Sequence, residues 1–233
     1  MGLVQGPQSS FGLEIAGVVR RTGTDVTSVR VGDRVVATCR HGFATVDVVI
    51  EETCEKLPDE LSFRDAVSMP VAFTTAIYSL IEIGNLSKGQ IEQSILIHSG
   101  AGGVGLAAIQ VAKMIGAEIY TTVSSEEKVK YLMETFGIAR NRIFNSRNAS
   151  FADDLLRETG GRGADLVLNS LGGELLHTTW RRCVAKWGTM VEIGKRDLIE
   201  VGKLDMDVFL ANRSYRCVDM FEMGIERPDI TKR

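Results

Sequence analysis

The chain has 233 residues, 44% of them hydrophobic and 24% charged, the composition of an ordinary globular protein with length for one large domain or two small ones. A net charge of −3 gives no electrostatic case for nucleic acid or an anionic membrane. No apolar run is long enough to cross a bilayer, and Met1 to Ser10 is polar, so the chain reads as cytoplasmic, with no membrane or nucleic-acid partner. Cys39, Cys54, Cys183 and Cys217 form no C-x-x-C pair and read as reduced thiols. His41, His98 and His177 are far apart and match no metal-ligand spacing, so no metal is expected.

Residues 12–50 read as β. The run 12–19 alternates, 31–37 is a turn and a strand, and 42–50 is a strand rich in β-branched residues. Ser62 is placed to cap a short helix, with Asp65 at the capping-box position. From Pro70 helices and strands alternate. Helices are expected over 71–83, 103–115, 126–136, 151–159 and 174–184. Strands are expected over 95–97, 118–123, 142–145, 165–169, 189–193 and 215–218. That alternation predicts an α/β fold with a doubly wound parallel sheet. The stretch Lys88 to Ser94 reads as a loop longer than the connection needs, with no functional account.

Between the first strand of this half and its helix stands His98-Ser99-Gly100-Ala101-Gly102-Gly103-Val104-Gly105. Gly100, Gly102 and Gly105 satisfy G-x-G-x-x-G with a strand before and a helix after, the context in which the motif signals a dinucleotide. Glycine lets the backbone approach a pyrophosphate, and the first-turn N–H groups of the helix face the anion. Gly100, Gly102, Gly103 and Gly105 are therefore the expected pyrophosphate liners. Asn169 ends the fourth strand, and Gly194 and Lys195 follow the fifth, on the edge where open α/β sheets bind ligands.

A small β domain feeding a Rossmann domain resembles the layout of medium-chain dehydrogenases/reductases. The stretches Phe11-Gly12-Leu13-Glu14-Ile15-Ala16-Gly17, Val31-Gly32-Asp33-Arg34-Val35, Met69-Pro70-Val71-Ala72-Phe73-Thr74-Thr75-Ala76, Gly160-Gly161-Arg162-Gly163-Ala164-Asp165 and Val191-Glu192-Ile193-Gly194-Lys195-Arg196-Asp197 are similar to enoyl reductase domains of fungal highly reducing polyketide synthases. The likeness covers nearly the whole chain in order. It implies a partial GroES-like β domain over 1–69, a Rossmann NADPH-binding domain over 70–220, and the start of a return segment over 221–233.

The resemblance implies an NADPH-dependent enoyl reductase whose substrate rides on an acyl carrier protein, with other synthase domains and a second copy of the chain as partners. A quinone-reductase-like enzyme and an inactive cofactor-binding remnant stay open beside it. Leu13 stands where zinc alcohol dehydrogenases carry a histidine ligand, which places the chain in a zinc-independent branch. At the end of the second Rossmann strand an NAD enzyme carries a carboxylate for the ribose 2′-OH. Here Ser124 holds that place, and Ser125 and Lys128 are candidates for a 2′-phosphate; the alternative is that Lys128 is a solvated helix residue and Glu126 or Glu127 repels phosphate. Arg147 reads as a surface arginine, its alternative being a residue that reaches the adenosine end.

Thr75 opens the Thr-Ala pair that lies near the nicotinamide in the family, and it reads equally as an ordinary helix threonine. Lys195 is the candidate donor or acid at the reacting end, its alternative being a solvated strand-end lysine. The family pairs that lysine with a downstream aspartate, for which Asp219 is the candidate. The β domain reads as incomplete at both ends, so the chain alone is expected to bind NADPH yet to turn over slowly, with unpaired edges in its β half.

Overall fold

The computed structural model describes residues 11–88, 93–227 and 230. The lengthened loop expected between Lys88 and Ser94 lies largely outside them. The described residues fall into two compact units. One is Ala76–Val218; the other takes the residues up to Thr75 and those from Asp219 on.

The smaller unit holds a three-stranded antiparallel sheet. Strands β1 (Glu14–Val18), β2 (Arg34–Thr38) and β3 (Cys54–Lys56) lie in that order. Val29, Ala37 and Cys54 form its buried core, with Ile15, Val19, Val26, Val35 and Val49 packed against them. The strand expected over 42–50 does not form, and the third strand is β3 instead. Gly42 and Phe43 donate to Gly12 and Phe11, and among the described residues the pairing goes no further. β2 already has β1 and β3 on its two edges, so 44–50 find no ladder there. Asp47 accepts from the Val48 N–H, a local bond that competes with a ladder. β-Branched residues favour strands only where a half-buried pleated surface exists to receive them. Ser62 caps helix α1 (Phe63–Ala66) through the Asp65 N–H, as the capping box predicts.

Helix α2 (Pro70–Ile77) continues as a π-helical stretch, Tyr78–Ile83, covering the helix expected over 71–83. The larger unit then alternates. Strand β4 (Ser94–Ile97) leads to helix α3 (Gly103–Ile115), β5 (Glu118–Val123) to α4 (Glu126–Phe136), and β6 (Ile143–Asn145) to α5 (Ser150–Glu158). β7 (Ala164–Asn169), α6 (Glu174–Thr178), β8 (Val184–Glu192), α7 (Arg196–Ile199) and β9 (Ser214–Cys217) follow. The six strands are parallel in the order β6-β5-β4-β7-β8-β9. The chain moves outward from β4 to β6 and returns to β7, so a crevice opens at the carboxyl ends between β4 and β7, the switch point of a doubly wound sheet. In the smaller unit, helix α8 (Met220–Glu226) follows.

Strands covered on both faces read as continuous apolar runs. Ile95, Leu96, Ile97, Val167 and Leu168 are essentially inaccessible. On one face Phe151, Leu155 and Trp180 fill the core, Trp180 against Phe209 and Tyr215. Helix α6 continues as a π-helical stretch, Thr179–Cys183, covering the helix expected over 174–184, and β8 starts at Val184 rather than 189. Trp187 sits at φ 67, and the β7–β8 register shifts between Ala164 and Leu166. One strand is thus split by a bulge that its alternation does not reveal. Among the described residues no helix is long and apolar enough to cross a membrane.

Candidate functional site

The glycine turn is built on a buried polar row. His98 follows β4, its ring nitrogens 3.0 Å from Thr122 Oγ1 and 3.0 Å from Thr179 Oγ1, with Phe151 edge-on. Burial pushes its pKa down to about 3, so the ring is neutral and bears one proton. The neighbours decide which nitrogen carries it. Thr122 Oγ1 accepts the Ser99 N–H, which leaves the Thr122 hydroxyl to donate to Nδ1. Thr179 Oγ1 donates to the Leu175 carbonyl and therefore accepts from Nε2–H. This row holds Ser99 at φ 56, a left-handed conformation a serine adopts only under constraint. Gly100 donates to Thr122 O, and Gly102 to Ser99 O.

The glycines divide by what a side chain would meet. A Cβ on Gly100 would lie 2.0 Å from Thr121 Oγ1, and one on Gly105 would lie 2.4 Å from Ser99 O. Those two are required by the packing of the turn itself. A Cβ on Gly102 would come to 3.2 Å of Ser99 O, and one on Gly103 would meet nothing within 4 Å. Gly103 therefore faces open space, while Gly102 is tight against the Ser99 carbonyl. Gly102 caps α3 without a side-chain acceptor, so the first-turn N–H groups get no cap from it. Open space, bare backbone and unanswered N–H groups fit a pyrophosphate.

At the end of β5, Ser125 Oγ caps α4 by accepting the Lys128 N–H, keeping its own hydroxyl proton to donate. Lys128 Nζ lies 3.5 Å from Ser124 Oγ, and Arg147 Nε donates to Ser124 O at 3.0 Å. Arg147, read from sequence as a surface residue, thus joins Ser124, Ser125 and Lys128. Arg140 answers Glu126 at 3.1 Å, which offsets the nearest carboxylate of the helix start.

The ends of β7 and β8 meet through a residue that sequence reasoning missed. Glu192 is 1% exposed. Asn169 Nδ2 donates to it at 2.5 Å, the Gly194 N–H at 2.6 Å, and Tyr215 Oη lies 3.5 Å away. Burial, opposed by those donors, pushes its carboxyl up to about 7. The signal lay in the sequence: a carboxylate in an otherwise apolar Met190-Val191-Glu192-Ile193 strand must find partners. Gly194 is a glycine for a local reason, since a Cβ there would lie 2.7 Å from Glu192 Oε1. Lys195 follows at the N-cap position of α7, with no capping hydrogen bond from its side chain.

Gly100, Gly102, Gly103, Gly105, Ser125, Lys128, Asn169, Gly194 and Lys195 all lie at the carboxyl edge of the six-stranded sheet. Thr75 and Asp219 belong to the other unit. Thr75 Oγ1 donates to Val71 O, and Asp219 caps α8 by accepting the Phe221 and Glu222 N–H groups. Among the described residues no three His, Cys, Asp or Glu side chains converge as a metal-ligand set.

Two family models match. One, described as an alcohol dehydrogenase GroES-like domain, matches residues 2–63, and the other, described as a zinc-binding dehydrogenase, matches residues 103–226, more than half of the chain. The highly reducing polyketide synthase sphB of Aspergillus fumigatus is 55% identical over 223 residues, which is 94% of this chain and 9% of that protein. The crystal structure of CurK enoyl reductase superposes with a TM-score of 0.84 at 33% identity, over 95% of this chain and 64% of that one. A mycobacterial protein solved complexed with NADPH superposes with a TM-score of 0.78 at 26% identity, over 95% of this chain and 67% of that one. The six-stranded unit is a nucleotide-binding domain, and the chain belongs to the zinc-binding dehydrogenase family, the medium-chain dehydrogenases/reductases, where its likeness is to the enoyl reductases of polyketide synthases.

Proposed function

We propose that the chain is an NADPH-dependent enoyl reductase domain acting on an enoyl thioester carried by an acyl carrier protein, beside the other domains of a polyketide-type synthase. The observation that carries the cofactor choice is the cluster at the end of β5. Ser124 stands where a carboxylate would hold a ribose 2′-OH, and Ser125, Lys128 and Arg147 converge beside it. A hydroxyl donor, an ammonium and a guanidinium suit a dianionic 2′-phosphate. Gly103 leaves room for the pyrophosphate, Gly102 brings bare backbone to it, and Gly100 and Gly105 shape the turn. The likeness to highly reducing polyketide synthases and to CurK supports the reaction class.

Bound NADPH supplies the hydride for the β-carbon. The chain's own part is to orient the thioester, to donate to its oxygen as negative charge builds there, and to deliver a proton to the α-carbon. Asn169 and Gly194 shape the nicotinamide end of the sheet edge, and Thr75 lies near the ring in this reading. Lys195 is the donor or acid, and the family likeness adds Asp219 as the candidate for its partner.

Titration of the protein with NADPH and NADH tests the cofactor assignment. Lys128→Ala is expected to weaken NADPH by roughly 1.5–3 kcal/mol while leaving NADH nearly unchanged. Equal weakening of both cofactors would refute the 2′-phosphate role. A panel of crotonyl and longer enoyl thioesters against quinones tests the reaction. Turnover of quinones alone would overturn the enoyl reductase assignment in favour of a quinone reductase.

A further inference from the structure

The turn that carries Lys195 has its own fastening. After β7 the chain runs Asn169-Ser170-Leu171-Gly172-Gly173, and after β8 it runs Ile193-Gly194-Lys195 into α7. These two turns form the carboxyl edge on the far side of the crevice from the glycine turn. Backbone pairing holds them only at its last rung, Ile193 N–H to Asn169 O at 3.0 Å. Beyond that rung, carboxylates take over. Glu192 Oε2 accepts from Asn169 Nδ2, whose other amide proton goes to Leu171 O at 2.9 Å. Glu192 Oε1 accepts the Gly194 N–H. Asp197, on α7, accepts the Gly173 N–H at 2.9 Å.

We propose that Glu192 is a positioning residue, whose carboxylate joins the turn after β7 to the turn after β8 and so sets where Lys195 stands at the site. The inference rests on the enoyl reductase reading only for the task of Lys195. Glu192 is too buried to reach a substrate. Its contacts call for an acceptor at both oxygens, because Asn169 and Gly194 each present an N–H to it. The ionised carboxylate answers both. The protonated acid adds a hydrogen that faces donors, so one contact is lost.

The groups facing Glu192 act in two directions. Asn169 from β7, the Gly194 N–H and the Tyr215 hydroxyl from β9 favour the anion. Asp197 from α7 opposes it, and Cys217 from β9 faces the same charge. Tyr215 is held above its ordinary pKa by burial first and by Glu192 next, so its hydroxyl remains a donor. The fastening is therefore complete above a pH of about 7 and loosens below it.

Hydrogen exchange at the Gly194 amide reads this contact directly, with no substrate present. In the unaltered protein, protection corrected for the intrinsic rate is expected to drop at least fivefold as pH falls through about 7. Glu192→Gln keeps the shape but must set its amide N–H₂ against one of the two donors. Its Gly194 protection is expected to be low and independent of pH, while its thermal midpoint stays at or above that of the unaltered protein at pH 8. With NADPH and an enoyl thioester, kcat should fall about tenfold with KM little changed. Gly194 protection that is flat across pH in the unaltered protein, or the same in Glu192→Gln, would overturn the proposal. Absence of enoyl reduction with the exchange pattern intact would instead remove the functional reading and leave the fastening standing.

Discussion

His98 and Glu192 are two titratable side chains sealed inside one nucleotide-binding unit, and they respond to pH in opposite directions. The folded pKa of His98 is depressed from 6.5 to about 3, so the native state refuses a proton that the unfolded chain accepts below 6.5. Its contribution to stability is full above 6.5 and is lost as pH falls toward 3, at about 1.4 kcal/mol per pH unit. Glu192 is raised from 4.5 to about 7, so the native state takes up a proton first. Its contribution is full below 4.5 and is lost as pH rises through about 7, an order-of-magnitude total of 3 kcal/mol. Thermal melts across pH separate the two. Against the unaltered protein, His98→Gln should show a shallower fall in stability below pH 6.5, and Glu192→Gln should gain stability as pH rises from about 5 to about 8. Parallel pH profiles in all three proteins would contradict these assignments. Neither role is legible from sequence spacing. His98 has no partner within reach along the chain, since Thr122 and Thr179 lie 24 and 81 positions away and only the parallel sheet and its helix bring them together.

The strand-turn-helix from β4 to α3 is the element that sequence describes most fully. Its glycine spacing is local and its strand and helix are strongly periodic, so motif and structure coincide from Ile95 to Ile115. What spacing cannot separate is glycine needed by the protein from glycine needed by a ligand. The structure shows which glycines the packing of the turn requires, and the two kinds should fail differently. Gly105→Ala drives a methyl into the Ser99 carbonyl and should destabilise the fold by about 1–3 kcal/mol, seen in thermal melting. Gly103→Ala meets nothing and replaces a helical glycine, so stability should hold or rise by up to about 1 kcal/mol. Its NADPH affinity should nevertheless fall, because the methyl enters the space proposed for the pyrophosphate. Unchanged NADPH binding in Gly103→Ala would take Gly103 out of the site. The β elements were less legible. The stretch 42–50 has strand composition but no ladder, and β8 begins before a bulge at Trp187 that alternation hides. Both misreadings come from the same cause: a strand is defined by its neighbours, and neighbours are distant in sequence.

At the scale of the whole molecule, alternation of strands and helices was enough to foresee a doubly wound sheet, and the observed order β6-β5-β4-β7-β8-β9 places its switch point beside the glycine turn. The site divides less simply. The glycine turn, the β5 cluster, Asn169, Gly194 and Lys195 share one unit, while Thr75 and Asp219 belong to the other. The central claim is that the hydride of NADPH reaches the β-carbon of an enoyl thioester on this chain. A single-turnover reaction of the protein with NADPH carrying deuterium at its transferable position, and a crotonyl thioester analysed by mass spectrometry, tests that claim most directly. The account predicts one deuterium at the β-carbon of the saturated product for each NADPH oxidised. Thioester recovered unsaturated and free of deuterium, while a quinone oxidises the same bound NADPH, would contradict it.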